Sequence, residues 1–145
     1  MDFMRNNVNF LIIIPGQTQY LNLIGKLCVN IVKGLYLEKT AKESLTQNIN
    51  TVLTESIVNS IKHGGAHSLN NKIRITIKIN KNVLTISVFD NGQGFDLYKI
   101  PKKTLGSDLL KERGRGIHII RTLMDSVVYR KSVKGNLLEM KITII

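Results

Sequence analysis

Four isoleucines, Ile73, Ile75, Ile77 and Ile79, alternate with Arg74, Thr76 and Lys78. A period of two belongs to an extended strand, because successive side chains of a strand point to opposite faces. This strand is therefore half-buried, apolar on one face and polar on the other. A sheet built from such strands needs a layer of helices over its apolar side. The chain offers candidates for that layer. Leu21, Ile24, Leu27, Cys28, Ile31, Val32 and Leu35 recur at helical spacing between Gln17 and Leu37. A second and longer helix is expected from about Ala41 to His63, with Leu45, Ile49, Val52, Leu53, Ser56, Ile57 and Ile61 on one side and Gly64-Gly65 as its stop.

The other elements follow from the same reading. Val8 to Ile14 is a short β-branched run closed by Pro15-Gly16, which reads as a strand. Asn80-Lys81-Asn82 connects the alternating strand to an antiparallel partner, Val83 to Phe89. Asp90 to Arg115 has no clean period and reads as a long irregular connection, a kind of segment that is commonly functional. Helical spacing returns from Gly116 to Asp125, and two final strands, Val127 to Lys131 and Leu137 to Ile144, are joined through Lys134-Gly135-Asn136. This order predicts a single α+β domain over residues 1–145, a two-layer α/β sandwich with helices on one face of a mixed, mostly antiparallel sheet.

Composition narrows the function classes. The net charge of +11 is uneven: residues 1–61 carry +1 and residues 62–145 carry +10. A nucleic-acid surface, a site for a phosphorylated ligand and an acidic protein partner all remain open on that count. Part of the lysine excess also fits AT-rich codon usage, since Ile, Asn and Lys supply 49 residues. The longest purely apolar run, Phe10 to Ile14, is five residues, far short of the ~20 that a spanning helix needs. A cytoplasmic protein with no membrane association is expected. The single cysteine, Cys28, excludes an internal disulfide and a zinc ribbon, and is expected to be a small core residue.

Three constellations carry possible chemistry. Glu55, Asn59 and Lys62 fall at i, i+4 and i+7 of the second helix, a set able to activate a hydroxyl, ligate a hard metal ion and meet a phosphate. The same spacing also describes a solvated face with one ion pair. Asp90-Asn91-Gly92-Gln93-Gly94 lies where a strand ends; its glycines allow close backbone approach and its carboxylate can accept from an exocyclic amine, although Asn-Gly also makes ordinary turns. Gly114-Arg115-Gly116 runs into a helix whose N-terminus suits an anion, or is simply a helix start after a loop. It is neither a Walker A sequence nor a dinucleotide fingerprint. His63 and His67 have zinc-like spacing but are separated by Gly64-Gly65, no nucleophile elbow is present, and the cations are not interleaved with aromatics as in a nucleic-acid interface.

Taken in this order, the three motifs resemble the ATPase superfamily of DNA gyrase, the large heat-shock chaperone, histidine kinases and mismatch-repair ATPases, whose architecture is the Bergerat ATP-binding fold. Residues 54–64 look like its N box, 90–94 its first glycine box and 114–116 its second, with a lid over 96–113. The short size, the Glu-x-x-x-Asn-x-x-x-His-Gly pattern and the run from Gly116 to Asp125 look most like anti-sigma-factor serine kinases. The resemblance implies ATP and Mg²⁺ as cofactors. It implies Glu55 as general base, Asn59 as the Mg²⁺ ligand, Asp90 as acceptor for the adenine amine, Gly92 and Gly94 as shapers of the pocket, and Gly114, Arg115 and Gly116 as holders of the phosphates. Lys62 falls where a phosphate contact is implied. The family usually has a threonine after the glycine between the last two strands, where it supports the adenine pocket; here Asn136 follows Gly135.

The activity implied is that of an anti-sigma factor which phosphorylates a STAS-type antagonist. A homodimer joined through the first strand and helix is implied too, and direct nucleic-acid binding is not. A non-catalytic, nucleotide-gated binding module and a stand-alone histidine-kinase-type catalytic domain are the alternatives.

Overall fold

The computed structural model describes residues 7–63, 71–92 and 114–144. In chain order the elements are strand β1 (Val8–Pro15), a 3₁₀ turn (Thr18–Tyr20), helices α1 (Leu21–Lys33) and α2 (Lys39–His63), strands β2 (Lys72–Asn80) and β3 (Val83–Asp90), helix α3 (Gly114–Leu123), and strands β4 (Ser126–Ser132) and β5 (Gly135–Thr143). The expected element order holds. The five strands form one sheet in the order β1-β2-β3-β5-β4, and every pairing in it is antiparallel.

Register aligns the apolar face across the sheet. Ile12 lies opposite Ile75, Ile77 opposite Ile86, and Val88 opposite Leu138. Ile73, Ile75, Ile77, Ile79, Leu84, Ile86, Val88, Leu138 and Met140 are buried in one core with Ile24, Cys28, Leu53, Ile57, Ile117 and Ile120 from the three helices. Burying a side chain such as Ile57 contributes about 1.5–3 kcal/mol. The residues between them, among them Arg74 and Lys78 of β2, face water on the open side. Arg130 of β4 and Lys141 of β5 share that side by register. These four of the sixteen basic residues in the second half thus lie across the sheet from the helices. Cys28 is fully buried, and burial pushes its thiol up to about 12, as suits a packing residue.

Several boundaries differ from the periodicity reading. α2 begins at Lys39 rather than near Ala41, and α3 spans Gly114–Leu123 rather than Gly116 to Asp125, so the second glycine motif forms its first turn instead of preceding it. α1 ends at Lys33: the Gly34 N–H still reaches the Asn30 and Ile31 carbonyls at 3.3 and 3.1 Å, the Leu35 N–H tightens onto the Val32 carbonyl at 3.0 Å, and the Lys42 ammonium donates to the Lys33 carbonyl at 3.0 Å. Leu35 is buried beyond the helix end rather than within it. The β2–β3 connection is Lys81-Asn82, with Lys81 in the left-handed region at φ 57°.

The β4–β5 turn is Val133-Lys134, so Gly135 and Asn136 belong to β5 rather than to the connection. Gly135 has φ 147°, and a Cβ there would run into the Asp90 carbonyl oxygen and stand 2.6 Å from the Phe89 ring. Both obstacles are in β3, so β5 can lie against the end of β3 only if position 135 lacks a side chain. Gly135→Ala is expected to cost about 2 kcal/mol or more, read from the midpoint of chemical denaturation. A loss below ~0.5 kcal/mol, the range of ordinary surface substitutions, would contradict this account of the turn.

Candidate functional site

α2 is the central helix, with the sheet on one side and α1 and α3 against it. Its C-terminal half buries polar groups as well as apolar ones: Ser56, Asn59 and Ser60 are buried beside Leu53 and Ile57. Among the three residues singled out on this helix, Asn59 is 5 % exposed, Glu55 is half-buried and Lys62 is exposed. No ion pair joins Glu55 to Lys62 among the described residues, so the reading as a solvated face with one ion pair does not describe this helix.

What covers Glu55 and Asn59 is the first turn of α3. A Cβ on Gly116 would stand 2.7 Å from Glu55 Oε2 and 3.4 Å from Asn59 Nδ2. The second glycine motif and the N-box helix are therefore in contact, with a hydrogen in place of a side chain as the condition of that approach. The first N–H groups of a helix have no partner within it and form the positive end of its dipole, so the start of α3 brings that positive end next to a carboxylate and an amide. Asn59 Nδ2 is buried with no hydrogen-bond partner among the described residues. A buried polar atom without a partner carries a penalty of about 1–3 kcal/mol, and a bound ligand can relieve it. Half a turn about its last torsion exchanges the amide nitrogen for the oxygen, a hard donor suited to Mg²⁺. Arg115 is exposed at the same helix start.

Asp90 closes β3 on the covered side of the sheet and is 5 % exposed. Its Oδ1 accepts from the Gly92 amide at 2.9 Å, and from Asn136 Nδ2 at 3.0 Å. The same Asn136 nitrogen donates to the Gly92 carbonyl at 2.7 Å. Asp90 and Asn136 are register partners across β3 and β5. The carboxylate and the first glycine of its motif are thus fixed by a residue 46 positions away. That residue stands where the resemblance implies a threonine, and it occupies the centre of this cluster. Sequence reasoning did not include Asn136 among the site residues. Its signal was the resemblance, which places it where the family's pocket-supporting threonine stands.

Gly94 and the proposed lid at 96–113 lie outside the described residues. Gly114 starts α3. The described site accordingly has two parts: Glu55, Asn59 and Gly116 where α2 meets α3, and Asp90, Gly92 and Asn136 where β3 meets β5.

Comparison with known proteins gives a consistent picture. The family model for the histidine kinase-like ATPase domain matches residues 27–142. Serine-protein kinase RsbW of Staphylococcus aureus strain JH9 is 29 % identical, over 82 % of this chain and 77 % of its own length, and the strain Newman protein gives the same figures. Among solved structures, the RsbU and RsbW domains of Rv1364c from Mycobacterium tuberculosis superpose with a TM-score of 0.68 at 12 % identity, covering 94 % of this chain and 32 % of that longer one. The catalytic domain of histidine kinase ThkA superposes with a TM-score of 0.55 at 14 % identity, covering 95 % and 97 %. These two likenesses concern the fold. The family match extends from within α1 into β5 and takes in all three motifs, and the chain belongs to the histidine kinase-like ATPase domain family.

Proposed function

We propose that this chain is an ATP-binding anti-sigma factor and protein serine kinase that phosphorylates a STAS-type antagonist. The observation that carries the reading is the close approach of Gly116 to Glu55 and Asn59, which sets a carboxylate and an unsatisfied amide beside a helix N-terminus. The similarity to serine-protein kinase RsbW supports the choice of serine as phosphoacceptor.

In this reading Asp90 accepts a hydrogen bond from the adenine amine, and Gly92 and Gly94 let the backbone lie close to the base. The N–H groups of Gly114, Arg115 and Gly116, with the Arg115 guanidinium, meet the phosphates. Lys62 adds a phosphate contact, and residues 96–113 form the lid. The Asn59 amide oxygen is the protein ligand for Mg²⁺, an ion that is commonly held by one or two protein oxygens together with substrate phosphates. Bound Mg²⁺ supplies neutralisation of the phosphate charge. Glu55 takes the proton of the incoming serine hydroxyl as its oxygen attacks the γ-phosphorus; ADP leaves, and the phosphate ends on the serine. Such transfer depends on positioning and charge, which fits a site made of two helices held together by a glycine.

The partners are a sigma factor and its antagonist, and the location is the cytoplasm. No described helix is long and apolar enough to cross a membrane. A homodimer through β1 and α1 is part of the same proposal. β1 is an edge strand on which Leu11 and Ile13 are 60 % and 54 % exposed, and Leu23 of α1 is exposed as well. An uncovered edge with apolar side chains is a pairing surface. Leu11→Lys is expected to convert a dimer to monomers in light scattering without loss of the fold; a wild-type protein that is monomeric at high concentration contradicts the dimer.

Glu55→Gln keeps the size of the side chain and removes its basicity. It is expected to lower phosphate transfer to the antagonist by about 10²–10⁴-fold, the usual contribution of a general base, while ATP affinity stays within a few-fold of wild type. Labelled-phosphate transfer and equilibrium binding measure the two quantities. Unchanged transfer would remove Glu55 from the chemistry.

A further inference from the structure

Asn136 has a donor count that leaves little freedom. A side-chain amide carries two N–H bonds and one acceptor oxygen. Both donors are used within the first glycine box, at 3.0 Å to Asp90 Oδ1 and 2.7 Å to the Gly92 carbonyl. The reverse orientation would set the amide oxygen against two other oxygens, so the chemistry of its neighbours fixes the amide. The side chain is 2 % exposed, which removes water as a substitute donor. The backbone behind it cannot shift readily, since Gly135 is pressed against β3 at the Asp90 carbonyl.

The effect falls on Asp90. Its Oδ1 already accepts two hydrogen bonds, from the Gly92 amide and from Asn136. Oδ2 is then the oxygen of that carboxylate to which no described residue donates. A carboxylate held by two donors on one oxygen has its plane fixed, and the other oxygen is aimed rather than free to rotate.

We propose that Asn136 is the positioning residue that sets nucleobase selectivity, by locking Asp90 so that Oδ2 is presented to a base with an exocyclic amino group. The proposal rests on the reading of Asp90 as the adenine acceptor. A base with a carbonyl oxygen at that position meets a fixed acceptor and is rejected, because acceptor faces acceptor. With Asn136 removed, Asp90 can turn away; the amino base loses a charged hydrogen bond, and the oxo base is no longer repelled. In place of a hydroxyl, which has one donor, this chain uses an amide that binds the carboxylate and the glycine-box backbone together.

The test measures equilibrium binding of ATP and inosine triphosphate, which carries an oxygen where ATP has the amine, to wild-type protein, Asn136→Ala and Asn136→Asp, each checked by thermal melting. Asn136→Ala is expected to weaken ATP by roughly tenfold to a hundredfold and inosine triphosphate by less than about threefold, so that selectivity collapses. Asn136→Asp matches the shape of asparagine but sets a second carboxylate against Asp90, and is expected to bind ATP more weakly than the alanine variant. A residue that only packs would give the opposite order and would weaken both nucleotides alike. Either result overturns the proposal, as does wild-type ATP affinity in Asn136→Ala. If the alanine variant does not fold, Asn136→Ser is judged by the same ratio. Failure of the wild-type protein to bind ATP would remove the nucleotide reading and this inference with it, whereas tight wild-type binding with unchanged selectivity in the variants would remove the inference alone.

Discussion

The isoleucines of β2 and the apolar residues aligned with them on β3 and β5 cannot remain in water, and α2 is the helix that packs against that surface and against both other helices. One helix therefore answers two demands. Leu53 and Ile57 are fixed by the core, and the rigidity they confer extends to Glu55 and Asn59 on the same turns of helix. A site on a buried helix is held more tightly than one on a loop, which suits chemistry that depends on placement.

The polar part of the site is made by two close approaches, each requiring a missing side chain. At Gly116, α3 comes down on Glu55 and Asn59; at Gly135, β5 comes against the end of β3, and Asn136 then reaches Asp90 and Gly92. The glycines thus have separate tasks. The first joins the N-box helix to the second glycine motif, and the second sets the pair of strands that hold the first glycine motif. Among the described residues, an amide without a partner at Asn59 and a carboxylate with one uncommitted oxygen at Asp90 are what these approaches leave for a ligand.

The elements were legible because their periods are strong: the alternation of Ile73 to Ile79 and the 3–4 spacing of Leu45 to Ile57 each permit one conformation. Local chemistry moved the ends, as after Lys33, where tighter bonds from Gly34 to Ile31 and from Leu35 to Val32 end α1 short of its apolar pattern. The burial of Asn59 was not legible, since its spacing serves a wet face equally well and only the arrival of α3 decides between the two. The resemblance marked Asn136 only as a departure from a threonine; its bonds to Asp90 and Gly92 were illegible because Asp90 is 46 positions distant and the register of β3 and β5 joins them. Charge misled in part. Arg74, Lys78, Arg130 and Lys141 lie on the open face of the sheet, so the basic count of the second half is not a measure of the site.

The account stands or falls on Asp90 as the acceptor for a nucleobase in this pocket. Calorimetric titration of the chain with ATP in the presence of Mg²⁺, repeated with Asp90→Ala, measures this most directly. Saturable binding by the wild-type protein that is lost in the variant while the fold is retained is the predicted result. No binding by the wild-type protein, or equal binding by both, would contradict it.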